Sequence, residues 1–75
     1  MQKRDRRFAE KFAWRLRRRM EYLGISQADL SKKSGVHKAT IHALYHGVEV
    51  PRADTVANLA RALGMSTDDL IMFND

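Results

Sequence analysis

Residues 26–47 read SQADLSKKSGVHKATIHALYHG, and this stretch decides the fold. Ser26 and Asp29 form a Ser-x-x-Asp pattern, which caps the backbone N–H groups at the start of a helix. Gly35 accepts the left-handed backbone that favours a helix end, so the first helix is predicted to stop there. Gly47 ends a second helix in the same way. The stretch therefore predicts two short helices joined by a tight turn.

The two helices are expected to cross steeply on either side of that turn. Leu30, Ile41 and Leu44 supply the apolar anchors, and Ser31 is small enough to lie at the crossing. This is the arrangement of a helix-turn-helix, which leaves one face of its second helix exposed. The residues on that face are small or can donate hydrogen bonds, and none is acidic: His37, Lys38, Ala39, His42 and His46.

The composition is that of one small basic domain. The chain has 75 residues, is 44% hydrophobic and contains one proline, which fits a compact helical fold. The absence of cysteine excludes disulfides and thiolate metal sites. A net charge of +5 suits a polyanionic partner, although many basic domains bind nothing acidic. No apolar run is long enough for a membrane span or a secretory signal, so we expect a cytoplasmic protein without a membrane partner.

The basic charge is concentrated in residues 1–23. Apolar residues recur there at spacings of three and four: Phe8, Phe12, Leu16, Met20 and Leu23. They predict an amphipathic helix that begins near Asp5 and ends before Gly24. Its arginines either form a solvated face or lie along a phosphate backbone; a membrane-surface helix is disfavoured, because the core of so small a domain needs the apolar face. Residues 1–7 are either a basic arm or an extension of this helix. Trp14 lies outside the apolar stripe, where it either shields arginine stems or contacts a partner.

Two more helices are predicted after the central pair. Residues 53–63 form a fourth helix with an apolar inner face. Ser66 and Asp69 repeat the Ser-x-x-Asp cap and begin a short fifth helix that runs through Phe73. The apolar side chains of this last helix either close the core against the first helix or form a dimer patch. Residues 1–75 are thus expected to make one all-α domain.

The stretch from Phe12 to Leu70 resembles the lambda-repressor-like DNA-binding domains, the Cro/cI-type (XRE-like) helix-turn-helix family. The resemblance implies a compact five-helix fold in which helices 2 and 3 form the helix-turn-helix, after an extended basic first helix. The sequence departs from the family pattern in several places, among them Ser31, where the family has an alanine, and the basic residues 1–7, which exceed the minimal domain. Met20 and Tyr45 stand where many relatives pair an arginine with a glutamate, and His37 replaces the usual serine or threonine cap. The resemblance rests on residues that occur together at the family's spacing: Leu16, Gly24-Ile25-Ser26-Gln27, Leu30, Gly35-Val36, Ile41, Leu44, Gly47, Pro51, the segment from Leu59 to Gly64, and Ser66 with Leu70.

The resemblance also implies that helix 3 lies in the major groove, with its N-terminal residues at base edges. A lysine donates to guanine O6 and N7, so we expect a guanine opposite Lys38. The expected base contacts are His37, Lys38, Ala39, His42 and Ala43. The expected phosphate contacts are Gln27, Thr40, His46 and Arg52, together with Arg17 or Arg18.

These features predict a sequence-specific regulator that binds double-stranded DNA, a phage- or bacterial-type repressor acting as a homodimer on a palindromic operator. An antitoxin with a toxin as its partner and a restriction-modification controller share the domain and stay open as alternatives. So do a protein-interaction module that retains the fold, and RNA or nonspecific binding through the first helix.

No enzyme activity is expected from this sequence. It has no glycine-rich phosphate loop, nucleophile–base signature or metal cluster. His42 and His46 lie one helical turn apart, but a third ligand is not evident. We therefore expect no catalytic residue, no bound metal and no cofactor.

Overall fold

The computed structural model describes residues 2–72, which form five helices in the predicted order. Helix α1 packs against α3 and α5, α2 packs against α3 and α4, and α4 packs against α5. No strand occurs within residues 2–72, so the predicted all-α fold class is confirmed. None of the helices in this range combines the length and the apolar character that a membrane crossing requires. The helices are α1 (Lys3–Leu23), α2 (Gln27–Ser34), α3 (Lys38–Tyr45), α4 (Ala53–Ala62) and α5 (Thr67–Ile71).

Helix α1 ends at Leu23, before Gly24 as the sequence predicts, but its start differs from the prediction. It begins at Lys3 rather than near Asp5, so the basic residues 3–7 form its first turns. The backbone N–H of Arg6 donates to the carbonyl of Gln2 at 2.9 Å, which continues the helical pattern to the start of the described chain. Leu23 was expected in the apolar stripe but is 38% exposed, because it is the last residue of α1 and the chain turns away immediately after it.

The core is built from the apolar faces of all five helices. Leu70 of α5 is fully buried and Ile71 packs against the same core, so α5 covers the core where it packs against α1 and α4. Phe8 is partly buried and stacks on Phe12, with 6.4 Å between the ring centroids. Helix α5 ends at Ile71 and Met72 is extended, so the helix is shorter than the predicted one, whose end at Phe73 lies outside the described residues. The largest fully buried side chains are Phe12, Leu16, Leu30, Ile41, Leu44, Leu59, Leu63 and Leu70.

Serine side chains hold the turn between α2 and α3. Ser26 Oγ accepts from the Asp29 N–H at 3.0 Å, and the Asp29 carboxylate accepts from the Ser26 N–H at 3.3 Å, so the predicted cap is confirmed as a full capping box. Ser31 Oγ donates to the Val36 carbonyl at 2.6 Å. The buried Ser34 hydroxyl accepts from the Val36 N–H at 3.1 Å. The small residue predicted at the crossing therefore also fixes the shape of the turn.

Gly47 lets the end of α3 approach α1 closely. Helix α3 ends at Tyr45, and Gly47 follows with a φ of 71°, in the left-handed region that favours glycine. A Cβ atom at Gly47 would lie 3.5 Å from both the Ala13 Cβ and the Glu10 Cα of α1. The position of α3 relative to α1 thus depends on a contact between backbone and helix surface.

Candidate nucleic-acid interface

The exposed face of α3 carries most of the residues that the sequence assigns to base contacts, together with one predicted phosphate contact, His46. Ile41 and Leu44 on the opposite side of this helix are fully buried, which orients the remaining side chains outward. Residues 37–46 contain no carboxylate. The face therefore offers hydrogen-bond donors and methyl groups without a repelling negative charge. Its exposed members are His37, Lys38, Ala39, His42 and His46, and Ala43 is half-buried beside them.

The start of α3 is uncapped. His37 occupies the cap position, and its side chain makes no capping hydrogen bond, as the sequence suggested for a histidine there. The N–H groups of the first turn carry the positive end of the helix dipole and have no partner within their own helix. An anion next to Lys38 would meet both these groups and a lysine ammonium.

A shallow cleft of about 290 Å³ lies between α1 and the start of α2 and reaches α3 at its last residue, Tyr45; Arg17 and Gln27 line it. Arg17 donates to the Tyr45 carbonyl at 2.7 Å, and its guanidinium lies 5.8 Å from the centre of the Tyr45 ring. The His46 ring packs edge-on against Tyr45 at 5.3 Å and against His42 at 4.4 Å. Three of the predicted phosphate contacts, Arg17, Gln27 and His46, are therefore brought to one side of α3.

The start of α2 supplies backbone donors to this cleft. The capping box pairs the N–H groups of Ser26 and Asp29, and Gln27 and Ala28 carry the two remaining N–H groups of the four at the helix start. Hydrogen bonds from the Ser26 backbone, and then from its hydroxyl, lower the pKa of Asp29, with a smaller contribution from two lysines in the last turn. The cap is thus fully formed at neutral pH.

A second cleft, of about 260 Å³, lies on the other side of α3. Thr40 of α3 and Arg52, the residue before α4, both line it. The Arg52 side chain is 84% exposed, and its Nε is 3.5 Å from a carboxylate oxygen of Asp54. Glu49 lines the same cleft and is its acidic member. Thr40 and Arg52, also predicted phosphate contacts, are thus placed together, opposite the first group.

Arg18 lies on a different side of α1 from Arg17. Its guanidinium is 4.9 Å from the centre of the Trp14 ring, and both side chains are exposed. Trp14, whose role the sequence left open, therefore covers a guanidinium on the side of α1 that points away from the core. Of the two arginines that were candidates for phosphate contact, the structure brings Arg17 to α3 and leaves Arg18 elsewhere.

Three arginines of α1 bind the ends of other helices, a role that the sequence analysis did not identify. Arg15 donates through Nε to the carbonyl of Asp69 in α5 at 3.1 Å, and Arg19 donates through Nε to the carbonyl of Leu63, the C-cap residue of α4, at 3.0 Å. Arg17 holds the last carbonyl of α3. Each guanidinium meets the negative end of a helix. The sequence feature that could have indicated this role is the position of these arginines beside the apolar stripe of α1 rather than opposite it.

A family model for the Cro/C1-type helix-turn-helix DNA-binding domain matches residues 15–75. The chain belongs to this family. The matched residues contain α2 and α3, the two clefts that flank α3 and the whole of its exposed face. Comparisons with curated proteins and with solved structures found no match. The predicted family is thereby confirmed, and with it a DNA-binding domain in which α2 and α3 form the helix-turn-helix.

His42 and His46 of this Cro/C1-type domain lie next to each other on the exposed surface at α3. In the part of the chain that the structure describes, no three histidine, cysteine, aspartate or glutamate side chains are grouped so that they could hold a metal ion. The His42 and His46 rings instead contact each other edge-on. They form part of the exposed surface of α3, beside the cleft that holds Arg17 and Gln27.

Proposed function

We propose that this Cro/C1-type protein is a sequence-specific regulator of transcription, a repressor of the phage or bacterial type. The observation that carries the proposal is the exposed face of α3, which lacks carboxylates and lies between two clefts with predicted phosphate contacts. Such an arrangement suits a helix that enters the major groove while groups on either side bind the two strands.

Within this proposal the residues have separate roles. Lys38 contacts guanine O6 and N7, and Ala39 or Ala43 contacts a thymine methyl group. His37 and His42 lie at neighbouring base edges. The phosphate contacts are assigned to Gln27 with the start of α2, Arg17, His46, Thr40 and Arg52.

We further infer that the protein acts as a homodimer on a palindromic operator. One helix-turn-helix domain covers a half-site, and a two-fold dimer places two recognition helices one helical turn of DNA apart. We take residues 1–75 as one domain, with the basic residues 3–7 as part of α1.

The test is selection of binding sites from random duplex DNA with the 75-residue protein. The expected result is an enriched half-site, repeated in inverted orientation with centres about 10 base pairs apart. Enrichment of a single half-site, bound by one molecule, would refute the dimer. If no sequence is enriched over the starting pool, the proposed regulator function is wrong.

Two variants separate base contacts from phosphate contacts. Lys38→Ala should cost about 1–3 kcal/mol on the selected site and relax the preference at one base pair. Arg52→Ala should weaken binding to all duplexes alike and reduce the salt dependence by about one counterion. Lys33→Ala, which removes an exposed lysine from the last turn of α2, is the control for loss of one positive charge. A Lys38→Ala protein that keeps the full base preference would contradict the assignment.

A further inference from the structure

A groove of about 570 Å³ lies on the side of α1 where Trp14 and Arg18 are exposed, and we call it the α1 groove. Trp14, Arg18 and Tyr22 line it at intervals of four residues, and Met65 and Asp69 line it from the α4–α5 region. Trp14 is 51% exposed and Tyr22 is 79% exposed, although both are large aromatic residues. The proposed contacts with DNA use none of these side chains, so the α1 groove is a separate feature.

Three arginines line the α1 groove, and two of them are held against its aromatic rings, while the third, Arg15, donates to the Asp69 carbonyl. The Arg18 guanidinium lies 4.9 Å from the centre of the Trp14 ring, and the Arg19 guanidinium lies 5.2 Å from the centre of the Tyr22 ring. Stacking restricts a guanidinium but leaves N–H groups at its edge, where a carboxylate can bind in bidentate fashion. Arg19 is restrained further by its hydrogen bond to the Leu63 carbonyl. The groove therefore presents two pre-oriented carboxylate-binding groups.

The groove also has an apolar component. Met65 is partly buried against the core and lines the groove together with the two aromatic residues. Tryptophan, tyrosine and arginine are the residue types that contribute most to the binding energy of protein interfaces. A thioether beside aromatic rings accepts apolar side chains of varied shape. The occupant that matches these groups has an apolar anchor flanked by carboxylates.

We propose that the α1 groove binds a short acidic segment of a partner protein, with an apolar side chain against Met65 and Tyr22 and carboxylates at Arg18 and Arg19. A second copy of this chain is a poorer match, since a two-fold contact would bring identical arginines together and the chain carries a net charge of +5. A nucleic-acid strand needs a continuous track of cations. Here the track is interrupted, because the Arg15 guanidinium is bonded to the Asp69 carbonyl and Asp69 itself lines the wall.

The binding can be measured directly because Trp14 is the one tryptophan in the sequence. A random library of peptides about 12 residues long is selected against the 75-residue protein. One selected peptide without tryptophan is then titrated while the Trp14 fluorescence is recorded, and ¹H–¹⁵N NMR spectra locate the site. The expected peptides carry aspartate or glutamate on both sides of an apolar residue, and their largest shifts fall on α1 and the α4–α5 turn.

Three variants test which side chains of the α1 groove bind the selected peptide. Arg18→Glu and Tyr22→Ala should each weaken the selected peptide about tenfold or more, as expected for central interface residues. Lys33→Glu makes the same charge change on α2 and should alter the affinity less than about threefold, as expected for a charge outside the contact. Circular dichroism confirms that each variant is folded. Tyr22→Ala should retain the duplex DNA affinity of the unmodified protein, which separates this site from the proposed function.

Several outcomes would overturn the proposal. The proposal is wrong if no peptide is enriched or if the enriched peptides lack acidic residues. It is also wrong if the Tyr22→Ala protein binds the selected peptide as tightly as the unmodified protein does. Quenching of Trp14 by a 12-nucleotide single strand, lost in Tyr22→Ala, together with no peptide binding, would assign the groove to nucleic acid instead. Self-association in sedimentation that Tyr22→Ala abolishes would assign it to a second copy.

Discussion

Replacement of Arg19 by alanine tests whether the arginines of α1 hold the domain together. Arg19 Nε donates to the carbonyl of Leu63, the C-cap residue of α4, at 3.0 Å, and the contact is partly buried. A hydrogen bond from a charged donor contributes about 1.5–3 kcal/mol. Because water can reach the released carbonyl, we expect the lower part of that range, a loss of about 1.5–2 kcal/mol in the free energy of unfolding.

Urea titration followed by circular dichroism at 222 nm measures this loss. Each kcal/mol should also lower the Tm of a domain of this size by about 4–8 °C. Arg7→Ala is the matched control, since Arg7 lies exposed on the same helix and the substitution changes helix propensity equally. It should stay within about 0.5 kcal/mol of the unmodified protein. Arg19→Lys keeps the charge near the end of α4 but lacks the planar guanidinium, so it should be intermediate.

Equal unfolding free energies for Arg19→Ala and Arg7→Ala would refute the reasoning. In that case the contact between α1 and the end of α4 would contribute nothing beyond what water supplies to the carbonyl. A stability loss that appears equally in Arg19→Lys would show that the guanidinium geometry matters and that charge near the helix end does not.

Three further predictions concern the local structure. Gly35→Ala should cost about 1–2 kcal/mol through its φ of 77° alone, since a Cβ there would meet no atom within 4 Å; an unchanged urea midpoint would contradict this. Ser26→Ala should cost about 1 kcal/mol and raise the pKa of Asp29 towards its ordinary value, as NMR titration of the carboxyl carbon would show. Folding lowers the pKa of Asp29. The ionised carboxylate therefore stabilises the folded protein at pH values above the pKa of the unfolded chain, and this stabilisation is lost as the pH falls through the pKa of the folded protein. Asp29→Asn should therefore be less stable than the unmodified protein at neutral pH and equally stable well below about pH 4, and a deficit that persists in acid would count against the capping box.

The local signals in the sequence predicted the helices well because helix ends depend on neighbouring residues. A Ser-x-x-Asp pair satisfies N–H groups three residues away, and both Ser26 and Ser66 accept the predicted bonds. Glycine ends a helix through its own backbone freedom, as Gly35 does. Apolar spacing also placed the core correctly, except at Leu23, where the end of α1 leaves the side chain exposed.

The roles of the arginines in α1 could not be predicted from local sequence signals. Their number predicted a basic surface, and the sequence offered a solvated face or a phosphate contact for them. The structure adds a third role, because Arg15 meets the Asp69 carbonyl 54 residues further along the chain. The spacing of residues within α1 gives no information about a contact with a residue so far away in the sequence. The choice between Arg17 and Arg18 beside α3 likewise depends on how α1 packs, since the two residues are adjacent in sequence.

The sequence by itself determined the five-helix domain, its family and the residues on the exposed face of α3, since caps, glycines and apolar periodicity act over a few residues. The tertiary structure decided which residues from separate helices meet. It placed Arg17 and Gln27 in one cleft, Thr40 and Arg52 in another, and the aromatic residues of α1 beside Met65. These groupings arise when the apolar faces of the helices pack into one core, and the packing fixes the polar edges of each helix against neighbours that are distant in the chain.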